Sequence, residues 1–287
     1  MASALRDAVE LRMRLRGFSP RTHESYIHAL EELARYYRHP LDKLSCEQVQ
    51  HFLDELISKR KLAWATVNVY FSAYRFLYEQ VLEWPKHRFS LPRRGRSQTR
   101  PEILSPEEVD RLIHAPGNLK HRTLLVTTLE SGLRVSEVLR LKPRHIDRGR
   151  MMLFVEQGKG HKDRYTILGE ESLELLGRLW RQEGPFEYFF HGRDKSAPMS
   201  IGTAQAIYSQ ALERSGVRKV GGIHVLRHCF ATFLMEAGED IFTIRKWMGH
   251  QRLNTTGRYM HVRAERMRNT ISLLSQLKNL KQILNKA

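Results

Sequence analysis

Residues that could act together on an anion are grouped in the C-terminal third of the sequence. Apolar residues at helical spacing predict a helix over 224–236, with His224 and Arg227 three apart on one face. A second helical pattern ends shortly before His250, and Tyr259 follows nine residues later. Two histidines, an arginine and a tyrosine near helix ends can converge on one anion.

Two upstream motifs extend this pattern. The run G-L-R-V-S-E occupies residues 132–137, and G-K-G-H-K occupies residues 158–162. With H-x-x-R-H at 224–228, G-H at 249–250 and the later tyrosine, five separated motifs stand in a fixed order. That arrangement resembles the signature of the tyrosine recombinases, the phage integrase family.

The resemblance implies a DNA strand transferase and assigns its roles. The implied catalytic residues are Arg134, Lys159, His224, Arg227, His250 and Tyr259. Tyr259 would attack a phosphate and leave a 3′-phosphotyrosyl bond. His224 would assist proton removal, and His250 would donate a hydrogen bond to the phosphate. Lys159, with Lys162 as the alternative on the same turn, would protonate the leaving 5′-oxygen.

Electrostatics explains why arginines belong in such a site. A phosphodiester transition state accumulates negative charge on its nonbridging oxygens, and a guanidinium can donate to two oxygens at once. We expect Arg134 and Arg227 to supply these donors, Glu137 to orient them and His228 to support the site. The phosphotyrosyl bond conserves the bond energy, so we expect no ATP. No cluster of acidic residues suggests a metal, and arginine, histidine and lysine donors make one unnecessary, so we expect no cofactor.

Two other functions share parts of this pattern. A type IB topoisomerase uses the same chemistry but reseals the same strand. A DNA-binding regulator would bind DNA with a site that is inactive because a catalytic residue has been lost. The small size and the helical N-terminal module favour a site-specific recombinase that works through a Holliday junction, in integration, excision or resolution. The compact chain is most similar to Xer-type recombinases or to integrases of transposons and other mobile elements.

The charge of the chain favours a nucleic-acid partner. The 287 residues carry a formal net charge of +17. Basic residues outnumber acidic ones by 18 to 11 in the first hundred residues and by 30 to 20 in the remainder. Both halves are therefore basic, as expected of a protein that contacts DNA along its length, although a solvated basic surface would have the same composition.

Cysteine content and hydropathy bear on the cellular compartment. The two cysteines, Cys46 and Cys229, do not make a disulfide framework, and no Cys/His spacing indicates zinc. No window approaches the roughly 18 apolar residues of a membrane span. We expect a bacterial cytoplasmic protein associated with the nucleoid.

The N-terminal region, residues 1–85, is predicted to be a bundle of four helices that binds the core of a DNA site. Ser19-Pro20 and Ser45 are helix-start signals, and apolar stripes follow each of them. Basic residues of this region and of the adjoining linker are candidates for phosphate contact, although each could equally lie on a solvated face. They are Arg21, Lys59, Arg60, Lys61, Arg75, Arg93, Arg94 and Arg96.

Residues 86–100 form a predicted interdomain linker with six basic residues and no acidic one. Such a segment could lie along a phosphate backbone or simply join two domains. The catalytic region, residues 101–262, begins at the capping box Ser105–Glu108. It shows alternating helical patterns, two strands near 151–157 and 164–168, and a third strand at 186–191.

The expected fold is therefore mainly α-helical with a small antiparallel sheet. The resemblance implies a SAM-like core-binding domain and a catalytic domain that together clamp DNA. It also implies a homotetramer on paired inverted-repeat core sites, a monomer or dimer without DNA, and possible accessory proteins. Residues 263–287 are predicted to form an amphipathic helix that docks on a neighbouring subunit, or packs on its own domain.

Overall fold

A computed structural model describes residues 3–85, 89–91, 102–156 and 163–249. Contacts divide the chain into two units, Met1–Gln98 and Thr99–Ala287. Among the described residues, no helix is both long enough and apolar enough to cross a membrane.

The first unit is built from helices around one apolar core. The Ser19 side chain accepts a hydrogen bond from the Thr22 N–H, and Ser45 forms a full capping box, so both predicted starts are confirmed. The fourth helix ends at Phe76 and is followed by a π-helical turn over Leu77–Val81, where the Leu82 N–H donates to the Leu77 carbonyl five residues back. The helices are α1 (Ser3–Leu15), α2 (Pro20–Tyr37), α3 (Cys46–Ser58) and α4 (Trp64–Phe76).

The second unit combines helices with one small sheet, which confirms the expected fold class. Its helices are α5 (Pro106–His114), α6 (Leu119–Ser131), α7 (Val135–Val138), α8 (Glu170–Glu183), α9 (Ile201–Arg214), α10 (His224–Glu236) and α11 (Ile241–Met248). Its strands are β1 (Ile146–Asp147), β2 (Met152–Val155) and β3 (Arg164–Ile167), in the antiparallel order β1-β2-β3. The strand β2 pairs with β1 and with β3, so that Val155 faces Arg164 across the hairpin.

The prediction of a strand at residues 186–191 is wrong. In the described part of this segment, the only ladder contact is an isolated bridge between His191 and Pro198. The phenylalanines at 186, 189 and 190 are buried and fill the core with their rings. An apolar run signals burial but does not distinguish a strand from an irregular packed segment. The third strand is instead the short β1, which has no such run.

Helix α6 is the centre of the second unit. It packs against both α8 and α10. Six consecutive residues, 123–128, are buried, as expected for a helix surrounded on all sides. Its C-terminal end is therefore held firmly, and the chain leaves it at Gly132.

Among the described glycines of this unit, Gly132 should be the least tolerant of a side chain. Its φ is +60°, and an added Cβ would overlap the buried ring of Phe230. We expect Gly132→Ala to lower the free energy of unfolding by about 3 kcal/mol, combining left-handed strain with overpacking. Urea unfolding measures this loss.

Gly216→Ala is the matched control. Gly216 has a φ of +68° but nothing within 4 Å of an added Cβ. It should lose only the backbone contribution, about 1 kcal/mol. Equal losses in the two variants would show that the Phe230 ring moves aside without cost.

Candidate active site

The turn after α6 delivers the first arginine of the site. Gly132 ends the helix in a left-handed conformation, and Arg134 occupies the N-cap position of α7 with φ −70° and ψ 152°. Glu137, in the first turn of α7, accepts hydrogen bonds from the Arg134 backbone N–H and from its Nη1, each at 2.8 Å. The short helix therefore pairs the two residues of the G-L-R-V-S-E motif.

Helix α10 delivers the second arginine, with the bounds that the sequence predicts. Arg227 is only 2% exposed. Its two terminal nitrogens donate to the carbonyl oxygens of Gly132 and Met248, and Nη1 lies 3.9 Å from a carboxylate oxygen of Glu137. A buried guanidinium requires such partners, because an unpaired buried charge is costly.

A third arginine, Arg164, was missed by sequence reasoning. It begins β3, and its Nη1 and Nη2 donate to the two carboxylate oxygens of Glu137 at 3.0 and 2.7 Å. Its Nε donates to the Trp247 carbonyl at 2.9 Å. The usable signal was strand alternation, which puts Arg164 on the same face as the buried Thr166 and opposite the exposed Tyr165.

The three arginines meet at the C-terminal end of α11. Arg164 donates to the carbonyl of residue 247, Arg227 to that of 248 and Arg134 to that of 249. The last carbonyls of a helix lack intrahelical partners and carry its negative partial charge. The guanidinium groups therefore bind a row of three consecutive main-chain oxygens, which we call the α11 carbonyl row (residues 247–249).

Glu137 is the anion that holds the cations together. Burial alone would raise the pKa of its carboxyl. The hydrogen bonds and charge of Arg164, with those of Arg134, outweigh burial and hold that pKa at about 2. Glu137 is thus ionised throughout the physiological range, and it orients the guanidinium groups instead of exchanging protons.

His224 lies one turn before Arg227 on α10. Its side chain is exposed to solvent, although neighbouring protein atoms surround part of the ring. Its ring stands edge-on to that of His228, with 5.3 Å between centroids. Burial, and then the charges of Arg227 and Arg134, lower its pKa below the usual histidine value. The neutral imidazole, which can accept a proton, is therefore favoured near neutral pH.

The pKa of His224 can be measured directly. In an NMR titration of the DNA-free protein, we expect the midpoint of His224 to lie below the ordinary value of about 6.5. Because the unfolded chain would bind this proton more readily, stability should fall as the pH decreases below about 6.5. A midpoint at or above that value would contradict the proposed joint influence of burial and the two arginines.

Several residues of the expected site lie outside the described residues. These are Lys159, Lys162, His250 and Tyr259, together with the linker arginines Arg93, Arg94 and Arg96. Within the described part of the chain, the structure brings together Arg134, Glu137, His224, Arg227 and His228.

The candidate phosphate contacts of the first unit fall into two groups. Lys59, Arg60 and Arg75 form ion pairs with acidic side chains at 3.0, 3.1 and 2.9 Å. Arg21 and Lys61 are exposed. A phosphate would have to compete with those ion pairs, so the contact of the paired residues with DNA stays a prediction.

Comparison with family models identifies matches over most of the chain. The model described as phage integrase family matches residues 102–266. A second model, described as phage integrase, N-terminal SAM-like domain, matches residues 5–87.

Individual relatives agree with these matches. A Sinorhizobium fredii protein described as integrase/recombinase y4qK is 36% identical over 261 residues, covering 90% of this chain and 84% of the relative. A Thermosipho africanus tyrosine recombinase is 28% identical, covering 86% and 91%. The XerH recombinase bound to difH DNA shares the fold at 21% identity, with a TM-score of 0.70 over 93% of this chain and 83% of that one.

Proposed function

This chain belongs to the phage integrase family of tyrosine recombinases, and we propose that it recombines DNA at specific sites with Tyr259 as the nucleophile. The observation that carries the proposal is the group formed by Arg134, Arg227 and His224 around the ionised Glu137. It provides two fixed guanidinium groups and a neutral imidazole within one unit. DNA is the substrate that this family and this chemistry require.

The arginines would stabilise the charge that develops on phosphate. A guanidinium has five N–H groups, so one that is already held by protein oxygens can still donate to a substrate. The contacts to Glu137 and to the α11 carbonyl row fix Arg134 before DNA binds. Donors that need no reorganisation at the moment of reaction are the effective ones in catalysis.

Proton transfer would then complete the cleavage. The Tyr259 oxygen attacks phosphorus, its proton leaves with help from His224, and the bond to the 5′-oxygen breaks. Lys159 gives that oxygen a proton, while His250 donates to the phosphate. A 5′-hydroxyl from a second duplex reverses these steps, so a strand is exchanged without ATP.

Assembly follows from the same proposal. One subunit holds one Tyr259, whereas exchange between two duplexes needs four cleavages. We infer a homotetramer on paired inverted-repeat sites, with residues 1–85 and 101–262 on the core DNA, 86–100 between them and 263–287 reaching a neighbour. Its substrate would place it at the nucleoid of a bacterial cell.

Covalent trapping on nicked duplexes tests the function. Duplexes from the DNA that flanks the gene are incubated with the protein and run on a denaturing gel, and mass spectrometry locates the attached nucleotide. We expect a sequence-specific adduct on Tyr259. Specific binding without an adduct would indicate a regulator, and adducts on all sequences would indicate a topoisomerase.

A further inference from the structure

Arg164 is placed unlike an ordinary ion-pair residue. Its side chain is 11% exposed and that of Glu137 is 8% exposed. All three guanidinium nitrogens have described protein partners, two of them the carboxylate oxygens and the third the Trp247 carbonyl. Such a planar fork specifies direction as well as charge.

These contacts connect three elements of the second unit. Arg164 stands at the start of β3, Glu137 lies on α7, and the carbonyl row ends α11. The Arg164 side chain also packs against Gly249, where an added Cβ would lie 2.9 Å from its Cδ. One side chain thus fixes the spacing of a strand, a helix start and a helix end.

Glu137 is shared between two arginines. Its Oε1 accepts from Arg134 Nη1 at 2.8 Å and from Arg164 Nη1 at 3.0 Å. Arg134 alone would hold the carboxylate only from α7, through its own N–H and Nη1. The Arg164 fork adds a hydrogen bond to each carboxylate oxygen from β3. The orientation of Arg134 therefore depends on Arg164, through the carboxylate that the two arginines share.

We propose that Arg164 is a positioning residue for DNA cleavage, which sets Arg134 through Glu137 and sets the end of α11 through the Trp247 carbonyl. It acts without touching the DNA. The contact with the Trp247 carbonyl holds the main chain at the end of α11. His250 is the next residue in the sequence after this carbonyl row. This inference rests on the proposed recombinase function.

The first test is Arg164→Lys, with Arg150→Lys as the matched control. Lysine keeps the charge but cannot reach both partners. Arg150 lies in the turn between β1 and β2, and its side chain is 75% exposed. In single-turnover cleavage, we expect adduct formation to slow about 10²-fold in Arg164→Lys, since small misplacements of catalytic groups have effects of that size. DNA affinity should stay within about twofold, and the control should match wild type.

A double-mutant cycle separates positioning from a general loss of structure. If Arg164 acts through Glu137, adding Arg164→Lys to Glu137→Gln should slow cleavage little beyond the larger single effect. Losses that multiply in full would overturn the proposed action of Arg164 on Arg134 through Glu137. So would an unchanged cleavage rate, or a loss of affinity as large as the loss of rate.

Hydrogen exchange tests the contact without DNA and without activity. Peptides covering α11 should exchange faster in Arg164→Lys than in wild type, while peptides covering α8 should not change. Arg164→Gln, whose amide NH2 keeps two N–H donors without the charge, serves if the lysine variant does not fold. Unchanged exchange at α11 would overturn the proposal, whereas faster exchange with no adduct even in wild type would refute the recombinase function alone.

Discussion

Arg227→Lys should slow covalent adduct formation by about 10²–10³-fold, the usual effect of removing one preorganised donor from a developing charge. Arg227 is nearly inaccessible, and its two terminal nitrogens bind separate carbonyls, those of Gly132 and Met248. A lysine ammonium is a point charge that cannot span both. The α6 end and the α11 end would then no longer be tied by one rigid group.

The same variant should also unfold more readily. One buried carbonyl would lose its donor, at a cost of about 1–3 kcal/mol. Single-turnover trapping measures the rate, and urea unfolding measures the stability. Arg122→Lys is the matched control, since Arg122 pairs with Glu171 on α8 and should retain full cleavage. If Arg227→Lys forms the adduct at the wild-type rate, the planar guanidinium of Arg227 is not needed at the phosphate.

Tyr259→Phe should eliminate the adduct and strand exchange altogether, because phenylalanine has no oxygen to attack phosphorus. No described residue replaces that oxygen in the proposed mechanism. The arginines, Glu137 and His224 are held by contacts within the described part of the unit, so DNA binding should persist. A gel-shift assay beside the denaturing gel measures the two properties on one sample.

The outcome to look for is residual cleavage. A covalent band in Tyr259→Phe that survives denaturation would mean that another nucleophile acts, and peptide mapping would identify it. The ring is retained in this variant, so a loss of binding would show instead that the Tyr259 hydroxyl contributes to DNA contact.

The helix boundaries were the most predictable part of the fold, because caps are local. Ser105 and Glu108 exchange the two hydrogen bonds of a capping box, as their spacing predicts. Gly249 ends α11 with φ +62°. The strand predicted at 186–191 failed because the buried phenylalanines there contact the core through side chains without pairing as a ladder.

The residue types of the site could be predicted from the sequence, but the hydrogen bonds between them could not. Arg134, His224 and Arg227 are recognisable from motifs. Their partners, however, include the carbonyls of residues 132, 248 and 249, and main-chain oxygens have no sequence signature. Arg164 was overlooked for a related reason, since a single arginine at a strand start looks like a surface charge until its neighbours in space are known.

The α11 carbonyl row also bears on how this protein can change over evolutionary time. Every amino acid has a carbonyl oxygen, so the three arginines do not select the residue types at 247 and 248. Met248 is constrained by its buried volume, and Gly249 by its positive φ and by the closeness of Arg164. Homologues could therefore drift in sequence along the end of this helix while the arginine geometry is inherited unchanged.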